Sequence, residues 1–415
     1  MSKFFLVLLN LLFLPATALA GFDHLVNMYG IMPADIALAG ARADGVPEPA
    51  AAYYNPAALG ALTTTEITGA YILAQPYFRG GLAEAEDGFE QTNQIVSVGI
   101  GLDVGRLFKG NWPIGMGVNL LVDDNFNTIV AFDDLLHPNG QYIRYDTRSF
   151  SLAHSLGFGV WNGLSFGAGY LLTYTANVKL VQDVQINAAT ENEQIRLVGR
   201  PAFFPIFGLQ WKNQWVRVGA VYRARLLAKV DPVSGFTTPK AGDTTIDVYP
   251  TEMKFLDGYS PHQFVLAVGL FPESAVTVTL QGEYHNWAQL NEEWGDGNLS
   301  RADVDIETRD VFVPRFGVSW RPNTQLEFRG GYAYEASPFT SLGSDSKLIL
   351  DNDRHRIGLG SGYSPILPFM TQPVTFDAAL FYLPLVPREE TTIDGHRLRS
   401  SGALVGGALS FTIRY

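Results

Sequence analysis

The sequence lacks cysteine, is poor in charged residues and has no long apolar run after its first twenty residues. Because none of the 415 residues is a cysteine, a disulfide framework and thiol chemistry are excluded. Charged residues make up 17% of the chain, whereas soluble globular domains average about 25%. A membrane-spanning helix needs about 20 consecutive apolar residues. The apolar residues, 47% of the chain, are instead spread along it, as in amphipathic strands.

A surplus of positive charge is also missing. The chain carries 29 basic and 41 acidic side chains, which is not the electrostatic footprint of a nucleic-acid-binding protein. The sequence has no phosphate-binding glycine loop, and its seven histidines have no metal-ligand spacing. A G-x-S-x-G match at 163–167 lies within an alternating strand, not at the strand-to-helix turn that the motif needs. The sequence therefore predicts no enzyme, no catalytic residues, no cofactor, no metal and no nucleic-acid partner.

Residues 1–20 have the pattern of a secretory signal peptide. A short positive start is followed by an apolar core at 4–14 and an A-x-A cleavage site at 18–20. We expect cleavage before Gly21 and export from the cytoplasm. The next stretch, residues 21–62, is rich in alanine and glycine, contains four prolines and lacks strand alternation. An irregular run of this length is usually functional or disordered.

From Glu66 onward, apolar side chains alternate with small, polar or charged ones. In 276–284, for example, valine, leucine and tyrosine alternate with threonine, glutamine and glutamate. Because successive strand side chains point to opposite faces, each segment has an apolar face and a small or polar face. About fourteen such segments are predicted, at 66–79, 93–105, 112–125, 147–162, 163–182, 195–212, 213–230, 255–271, 274–290, 305–321, 322–336, 352–364, 371–386 and 395–415.

Two features favour a membrane barrel over the alternatives, a soluble β-sandwich or a soluble barrel. The segments exceed the roughly 5–6 residues typical of globular strands and reach the 9–11 or so that a spanning strand needs. Aromatic residues also gather near segment ends, as in the girdles at the two membrane interfaces. The even segment number and the alternation of short and long connections fit the same class. The sequence predicts an all-β fold, a 14-stranded antiparallel transmembrane β-barrel in the bacterial outer membrane.

Three ordered motifs resemble the FadL family of outer-membrane transporters for long-chain fatty acids and other hydrophobic molecules. They lie at 39–43 with the Asn-Pro-Ala stretch 51–59, at 283–290, and at 331–338 with 350–355. The resemblance covers essentially the mature chain. It implies that residues 21–62 fold as a hatch inside a barrel formed by 63–415. It also implies sideways exit of the ligand into the membrane through a kink in the third strand; the candidate kink positions are Gly115, Gly117, Asn119 and Asp123-Asp124.

The candidate gating residues are Asn55, Pro56 and Ala57. Asn-Pro is a turn signal, and proline disfavours the α region for the residue before it. We therefore place the junction between hatch and first strand near these residues. The alternative is an ordinary structural turn without a role in gating.

Strand parity places Arg217 and Arg223 on the lumen face, because an arginine facing lipid would cost about 2–4 kcal/mol at the midplane. Both are hypothetical contacts for a ligand carboxylate, which prefers an arginine partner. The alternative is that they pair with other lumen charges or with hatch carboxylates. Phe22, Leu25 and Met28 are hypothetical apolar ligand contacts, and the alternative is that they pack the hatch against the wall.

The expected function is passive uptake of long-chain fatty acids or other hydrophobic molecules, with lateral exit from the barrel. The expected partners are a hydrophobic small molecule and outer-membrane lipid, and the expected state is a monomer. The alternative is a non-transporting barrel that acts as a structural or secretion-associated outer-membrane partner. The sequence does not identify the substrate, because fatty acids and hydrocarbons demand similar pockets.

Overall fold

The structure, a computed structural model, describes most of the chain after residue 28. The predicted signal peptide and the first residues of the predicted hatch lie outside this part. The described residues are 29–82, 85–89, 92–108, 112–123, 127–134, 137–146, 150–185, 191–241, 244–245, 249–271, 274–291, 307–341, 352–368, 370–391 and 397–415.

Fourteen of the described strands form one closed antiparallel ring. Each pairs with the ring strands before and after it, and the last closes on the first from Glu66–Arg414 to Leu82–Leu398. The fourteen-stranded fold predicted from the sequence is thereby confirmed. The strands are β1 (Glu66–Leu82), β2 (Asn93–Asp103), β3 (Ile114–Asp123), β4 (Phe150–Trp161), β5 (Leu164–Gln185), β6 (Glu191–Lys212), β7 (Val216–Arg223), β8 (His262–Leu270), β9 (Val276–Asn286), β10 (Val311–Trp320), β11 (Leu326–Glu335), β12 (Arg354–Tyr363), β13 (Thr375–Thr391) and β14 (Arg397–Arg414).

The predicted boundaries differ most at β7 and β8. The sequence predicted segments 213–230 and 255–271, whereas β7 ends at Arg223 and β8 begins at His262. Pro261 has no N–H for a ladder hydrogen bond, so it separates β8 from the strand before it. The alternating pattern continues through this break because the chain enters another hairpin there.

Shorter or additional strands lie on connections between the ring strands. They are Ala85–Phe89, Asn127–Asp134, His137–Asp146, Leu226–Ala241, Thr244–Thr245, Tyr249–Ser260, Glu307–Thr308 and Phe339–Ser341. Leu226–Ala241 pairs with Tyr249–Ser260 and also runs parallel to the end of β5. The loop end of the ring therefore carries more strand structure than the turn end.

Helical structure is short. The N-terminal segment, defined here as residues 29–62, contains α1 (Pro33–Ala37), α2 (Ala51–Tyr54) and a 3-10 helix (Pro56–Ala61). A third helix, α3 (Val104–Leu107), lies in the connection between β2 and β3. Among the described residues, no helix is long and apolar enough to cross a membrane.

The predicted kink in the third strand does not appear as a register change. β3 pairs with β2 from Gly115 to Asp123 and with β4 from Ile114 to Val122 without a shift in either ladder. Asp124, one of the candidate kink positions, lies outside the described residues. The inward Gly115 of β3 instead lets the N-terminal segment approach, because a Cβ atom there would lie 2.0 Å from the carbonyl oxygen of Leu59.

The outer face of the ring exposes large apolar side chains. Leu380 is 70% exposed, Leu409 65% and Phe312 63%, whereas the residues that alternate with them point inward and are mostly buried. A soluble protein rarely exposes a contiguous apolar surface of this kind. The exposed band is the surface that a barrel presents to lipid.

The core lies on the inner face of the ring. Ile31, Ile36 and Leu59 of the N-terminal segment form one apolar cluster with wall residues such as Ile72 and Leu121. Each of these side chains is at most 3% exposed. The N-terminal segment is therefore packed against the inward-facing wall.

Candidate functional site: the barrel lumen

Inward glycines in the middle of the wall allow the N-terminal segment to approach the strands closely. A Cβ atom at Gly157 would lie 2.4 Å from the carbonyl oxygen of Pro56, and one at Gly167 would lie 2.2 Å from its carbonyl carbon. A Cβ atom at Gly219 would lie 1.8 Å from the carbonyl oxygen of Ala43. No other residue fits at these positions without displacing the backbone.

The predicted gating residues lie in this glycine-lined part of the wall. Asn55 is fully buried and extended, with φ −159° and ψ 98°, as expected before proline. Its side chain accepts a hydrogen bond from the Ala57 N–H at 3.1 Å and donates to Ala43 O at 2.8 Å and Leu209 O at 3.3 Å. Asn55 thus caps the 3-10 helix that Pro56 begins. β1 starts only at Glu66, so this helix lies between the motif and the first strand.

Wall side chains hold the backbone of residues 39–45. Arg315 donates to Ala39 O at 2.8 Å, and the Gln281 side chain accepts from the Ala43 N–H at 2.9 Å. Gln210 donates to Asp44 O at 2.8 Å and to Gly45 O at 2.6 Å. Side-chain amides and guanidinium groups therefore satisfy backbone groups that would otherwise be buried without partners.

The earlier part of the segment is held differently. α1 packs mainly against β12 and β13. A Cβ atom at Gly358 on β12 would lie 2.3 Å from Ile36 O, and one at Gly331 on β11 would lie 2.2 Å from the carbonyl carbon of Leu38, the residue after α1. Asn93 donates to the Tyr29 hydroxyl at 2.7 Å. Packing, more than hydrogen bonding, joins this part to the wall.

Asp35 organises the start of α1. Its carboxylate accepts hydrogen bonds from the backbone N–H groups of Ile31 at 3.1 Å and Met32 at 3.0 Å. The side chain is fully buried, and burial raises its pKa to about 6, although the hydrogen bond from Met32 acts in the opposite direction. Burial thus moves the pKa of Asp35 into the mildly acidic range.

Arg217 and Arg223 both point inward, but their partners differ. Arg217 forms an ion pair with Asp44 of the N-terminal segment, with Nε 2.8 Å from Oδ2. Arg223 donates to Tyr53 O at 3.2 Å and Tyr54 O at 3.3 Å and lies 4.4 Å from the centre of the Tyr53 ring. Phe22, Leu25 and Met28 lie outside the described residues, so their predicted ligand contacts stay predictions.

A charged cavity of about 500 Å³ lies at the turn end of the lumen, between the N-terminal segment and the wall. Arg329 bonds Asp377 at 2.5 Å and Glu327 at 2.6 Å, and Arg414 lies 3.3 Å from Glu66. Threonines and serines supply much of the remaining lining. This end of the lumen presents charges and hydroxyls to any occupant.

The loop end of the inner wall has an apolar arc and a charged arc. The apolar arc runs through β13, β14 and β1 to β6, and its buried members include Leu383, Leu404, Ile72, Ile95, Leu121, Leu171 and Ile206. The charged arc lies on β9 to β12, where Arg315 and His285 contact Glu283 at 2.7 and 2.9 Å and Arg354 contacts Glu335 at 2.8 Å. The alternation in the sequence correctly places Arg217 and Arg223 on the inner face. It does not predict the division of the inner wall into two arcs, because that division depends on the order of the strands in the ring.

A closed ring of fourteen strands, an apolar outer band and an inner wall packed on an N-terminal segment define an outer-membrane β-barrel protein. Residues 18–412 match the family described as outer membrane protein transport protein (OMPP1/FadL/TodX). The chain belongs to this family of outer-membrane transporters for hydrophobic compounds. The family resemblance seen in the sequence is confirmed.

Individual relatives agree with this assignment. The chain is 25% identical over 398 residues to alkane uptake protein A of Marinobacter nauticus, covering 90% of this chain and 87% of that protein. Its fold is similar to that of a Pseudomonas aeruginosa FadL homologue (TM-score 0.61, 15% identity, 93% of this chain and 98% of the other). It is also similar to the Pseudomonas putida toluene transporter TodX (TM-score 0.58, 16% identity, 93% and 99%). Because their sequence identities are only 15% and 16%, these two structures support the assignment of the fold and nothing beyond it.

Proposed function

We propose that the protein lets alkanes or similarly apolar molecules cross the outer membrane by passive diffusion. The observation that supports this most is the apolar arc at the loop end of the inner wall, whose buried side chains, such as Ile72, Leu121 and Leu404, would contact a hydrocarbon once the segment packed on them moves. A ligand pocket of this kind is mostly apolar with few polar groups. The alkane uptake protein of Marinobacter nauticus, which is similar along most of its length, supports the same substrate class. Transport needs no enzyme activity, and the barrel acts as a monomer in contact with outer-membrane lipid.

Residues 21–62 act as the hatch in this proposal. The contacts of 29–62 with glycines and polar side chains on many strands support that role, because they join the segment to the wall around the middle of the lumen. Asn55, Pro56 and Ala57 fix the hatch beside the wall instead of moving. Phe22, Leu25 and Met28 extend its apolar surface toward the ligand.

Sideways exit is the second part of the proposal. An alkane that continued toward the periplasm would enter the cavity lined by Arg329, Asp377 and Glu327. Displacing water from charged groups without offering them hydrogen bonds is unfavourable, whereas lipid on the other side of the wall receives an apolar molecule readily. The charged cavity therefore favours release into the membrane.

Two measurements test uptake and exit separately. Vesicles that contain the protein should take up labelled hexadecane faster than vesicles with an unrelated barrel of similar size, and equal rates would contradict the transport proposal. For exit, Thr64→Cys places the chain's single thiol at the charged cavity. Attaching a bulky thiol reagent there should leave hexadecane uptake within about twofold of the unlabelled variant. A large loss, on the order of tenfold, would show that the ligand leaves through the cavity.

Arg223 is the proposed contact for a ligand that carries a carboxylate, because its described partners are mainly backbone carbonyls and not an acid. Arg217 is not the proposed ligand contact, because it already forms an ion pair with Asp44. Arg223→Gln should weaken binding of a fatty acid about tenfold more than binding of the alcohol of equal chain length. Equal effects on both ligands would assign Arg223 a structural role only.

A further inference from the structure

Two polar side chains on the apolar side of the inner wall are buried without complete hydrogen bonding. Ser97 on β2 and Asn119 on β3 point inward and are both 0% exposed. Among the described residues, neither the Ser97 hydroxyl nor Asn119 Oδ1 has a hydrogen-bond partner. The Asn119 amide donates through Nδ2 to Pro49 O. A buried polar atom without a partner destabilises the state that buries it.

Neighbouring inward polar groups of the wall do have partners. Ser155 on β4 donates to Ala52 O at 2.6 Å. The hydroxyls of Thr68 and Thr412 bond each other at 2.9 Å between β1 and β14. The wall or the N-terminal segment thus supplies a partner at those positions, whereas the docked segment supplies none to the Ser97 hydroxyl or to Asn119 Oδ1.

The strand register places the two groups beside each other. In the ladder between β2 and β3, Ser97 lies opposite Leu121 and Asn119 lies opposite Gly99. The two are therefore diagonal neighbours on one face, about 7–8 Å apart between Cα atoms. Ser97 has a proton to donate, whereas Asn119 Oδ1 only accepts. A single hydroxyl group that accepts from the first and donates to the second spans about 5–6 Å between them.

Met32 of the N-terminal segment covers this pair. A Cβ atom at Gly99 would lie 2.8 Å from Met32 Cε, 2.9 Å from Asn119 Oδ1 and 2.9 Å from Pro49 Cβ. Met32 also lines the charged cavity at the turn end. Because a methionine side chain is unbranched and adapts easily, its movement opens the pair to the lumen.

The surroundings of the pair suit an alkyl chain better than free water. On the inner face, Ser97 adjoins Ala70 on β1 and Leu121 on β3, and Asn119 adjoins Ala153 on β4. Buried waters make about three hydrogen bonds, whereas this pair offers two. A hydroxyl group that carries an apolar tail is satisfied by two. A carboxylate fits poorly, because it has no proton to donate to Asn119 Oδ1.

We propose that Ser97 and Asn119 bind the hydroxyl group of a long-chain primary alcohol. Ser97 donates to the alcohol oxygen, and the alcohol donates its proton to Asn119 Oδ1. The alkyl chain lies along wall residues such as Ile95 and Leu121, which are at most 1% exposed while the segment is docked. The inference rests on the proposed function, because the alcohol reaches the site by the route proposed for alkanes.

The test is equilibrium binding of radiolabelled 1-hexadecanol and hexadecane to the detergent-purified protein, corrected for partitioning into empty micelles. Ser97→Ala removes one hydrogen bond to the alcohol. It should weaken hexadecanol binding about fivefold and change hexadecane binding less than about twofold. Thr68→Val is the matched control, since it removes a hydroxyl of the same wall that already has a partner. It should change the binding of both ligands less than about twofold.

Hydrogen exchange of the Met32 amide supplies a second readout. Ser97→Ala removes an unpartnered group from the docked state and should slow this exchange about fivefold, whereas loss of an ordinary structural contact would speed it. Equal changes in hexadecanol and hexadecane binding in Ser97→Ala, or faster exchange at Met32, would overturn the proposal. If the wild type fails to take up hexadecane, the transport proposal is wrong, but a selective loss of hexadecanol binding in Ser97→Ala would still support the site.

Discussion

The two halves of the N-terminal segment are attached to the wall by different forces. Residues 39–61 receive hydrogen bonds from wall side chains, including Arg315, Gln281 and Gln210. Residues 29–38 rest chiefly on glycines of β11 and β12, through contacts with backbone atoms of α1 and Leu38. Each hydrogen bond contributes about 1 kcal/mol net, and a buried group that loses its partner costs about 1–3 kcal/mol.

In the proposed hatch, residues 39–61 are therefore the fixed half and residues 29–38 the releasable half. The half that makes polar contacts with the wall cannot leave it without breaking many of them, whereas the packed half would break fewer, among them the hydrogen bond between Asp35 and the Tyr54 side chain. Ala39 and Gly40, with φ of 51° and 81°, form the turn between the halves. Residues 29–38 are therefore the part expected to move during transport, and residues 39–61 the part expected to stay.

The largest effect is expected where a side chain would collide with the fixed half. Gly167→Val should push Pro56 and Ala57 off the wall, because a Cβ atom there would lie within 2.4 Å of their backbone. Overpacking of this kind costs about 3 kcal/mol or more. Limited proteolysis should then cleave the segment near Asn55 while the barrel keeps its heat-modifiable migration on gels. Ala168→Val, one residue further along β5 and on the outward face, should remain resistant; cleavage of both variants alike would contradict the assignment.

The releasable half should respond to pH. Because the pKa of Asp35 rises from 3.8 to about 6 in the docked segment, the docked state holds this proton more tightly than a released one. Docking is therefore strongest below about pH 4, weakens as pH rises to about 6, and stays at the weaker level above it, a difference of about 3 kcal/mol.

Hydrogen exchange of the Ile31 and Met32 amides, corrected for intrinsic rates, measures this effect. Asp35→Asn should remove most of the pH dependence while keeping an oxygen acceptor for one of the two amides. Exchange that is independent of pH in the wild type would show that Asp35 does not control docking.

A smaller effect is expected for a single polar contact of the fixed half. Gln281→Leu removes the acceptor of the Ala43 N–H and the donor to Gly40 O, at a cost of about 1–3 kcal/mol. Exchange of the Ala43 amide should accelerate, with little change at Ile31. Thr277→Val on the same strand, which lines the charged cavity, is the control and should leave the Ala43 amide as protected as in the wild type.

The smallest effect is expected at Tyr29. Tyr29→Phe removes the acceptor of the Asn93 amide and should loosen the first half by about 1 kcal/mol. Exchange at Ile31 should rise about fivefold, with no change at Ala43. A response at Ala43 equal to that at Ile31 would mean that the two halves move together.

The strands could be predicted from the sequence because each carries its own two-residue alternation. All fourteen predicted segments correspond to ring strands, and the apolar faces of the strands point outward, as the exposed Leu280 and Leu409 show. The main boundary differences arise beside β7 and β8, where the same alternation continues into a separate hairpin. The two-residue alternation alone does not distinguish a strand of the closed ring from a strand in a connecting hairpin.

The contacts of the N-terminal segment could not be predicted in the same way. They depend on which inward residues meet across the lumen, and this follows from strand order and closure. The sequence does not single out Gly157, Gly167 or Gly219 among its 42 glycines, and Gln281 is one polar residue of the alternation in 276–284. Asn55-Pro56-Ala57 was found because its signal is local, but its neighbours on the wall were not.

The most direct test of the account uses two engineered disulfides in a chain that has no cysteine of its own. Ala37→Cys with Gly360→Cys tethers the first half to β12, and Ala41→Cys with Gly317→Cys tethers the second half to β10; the paired Cβ positions lie 2.7 and 3.3 Å apart. Because a disulfide needs about 3.5–4.5 Å between these atoms, the first bond forms after a shift of about 1 Å and the second after a smaller one. The account predicts that oxidising the first pair stops hexadecane uptake, that a reductant restores it, and that the second pair has no effect in either state. Uptake that survives the 37–360 bond, or stops with the 41–317 bond, would contradict it.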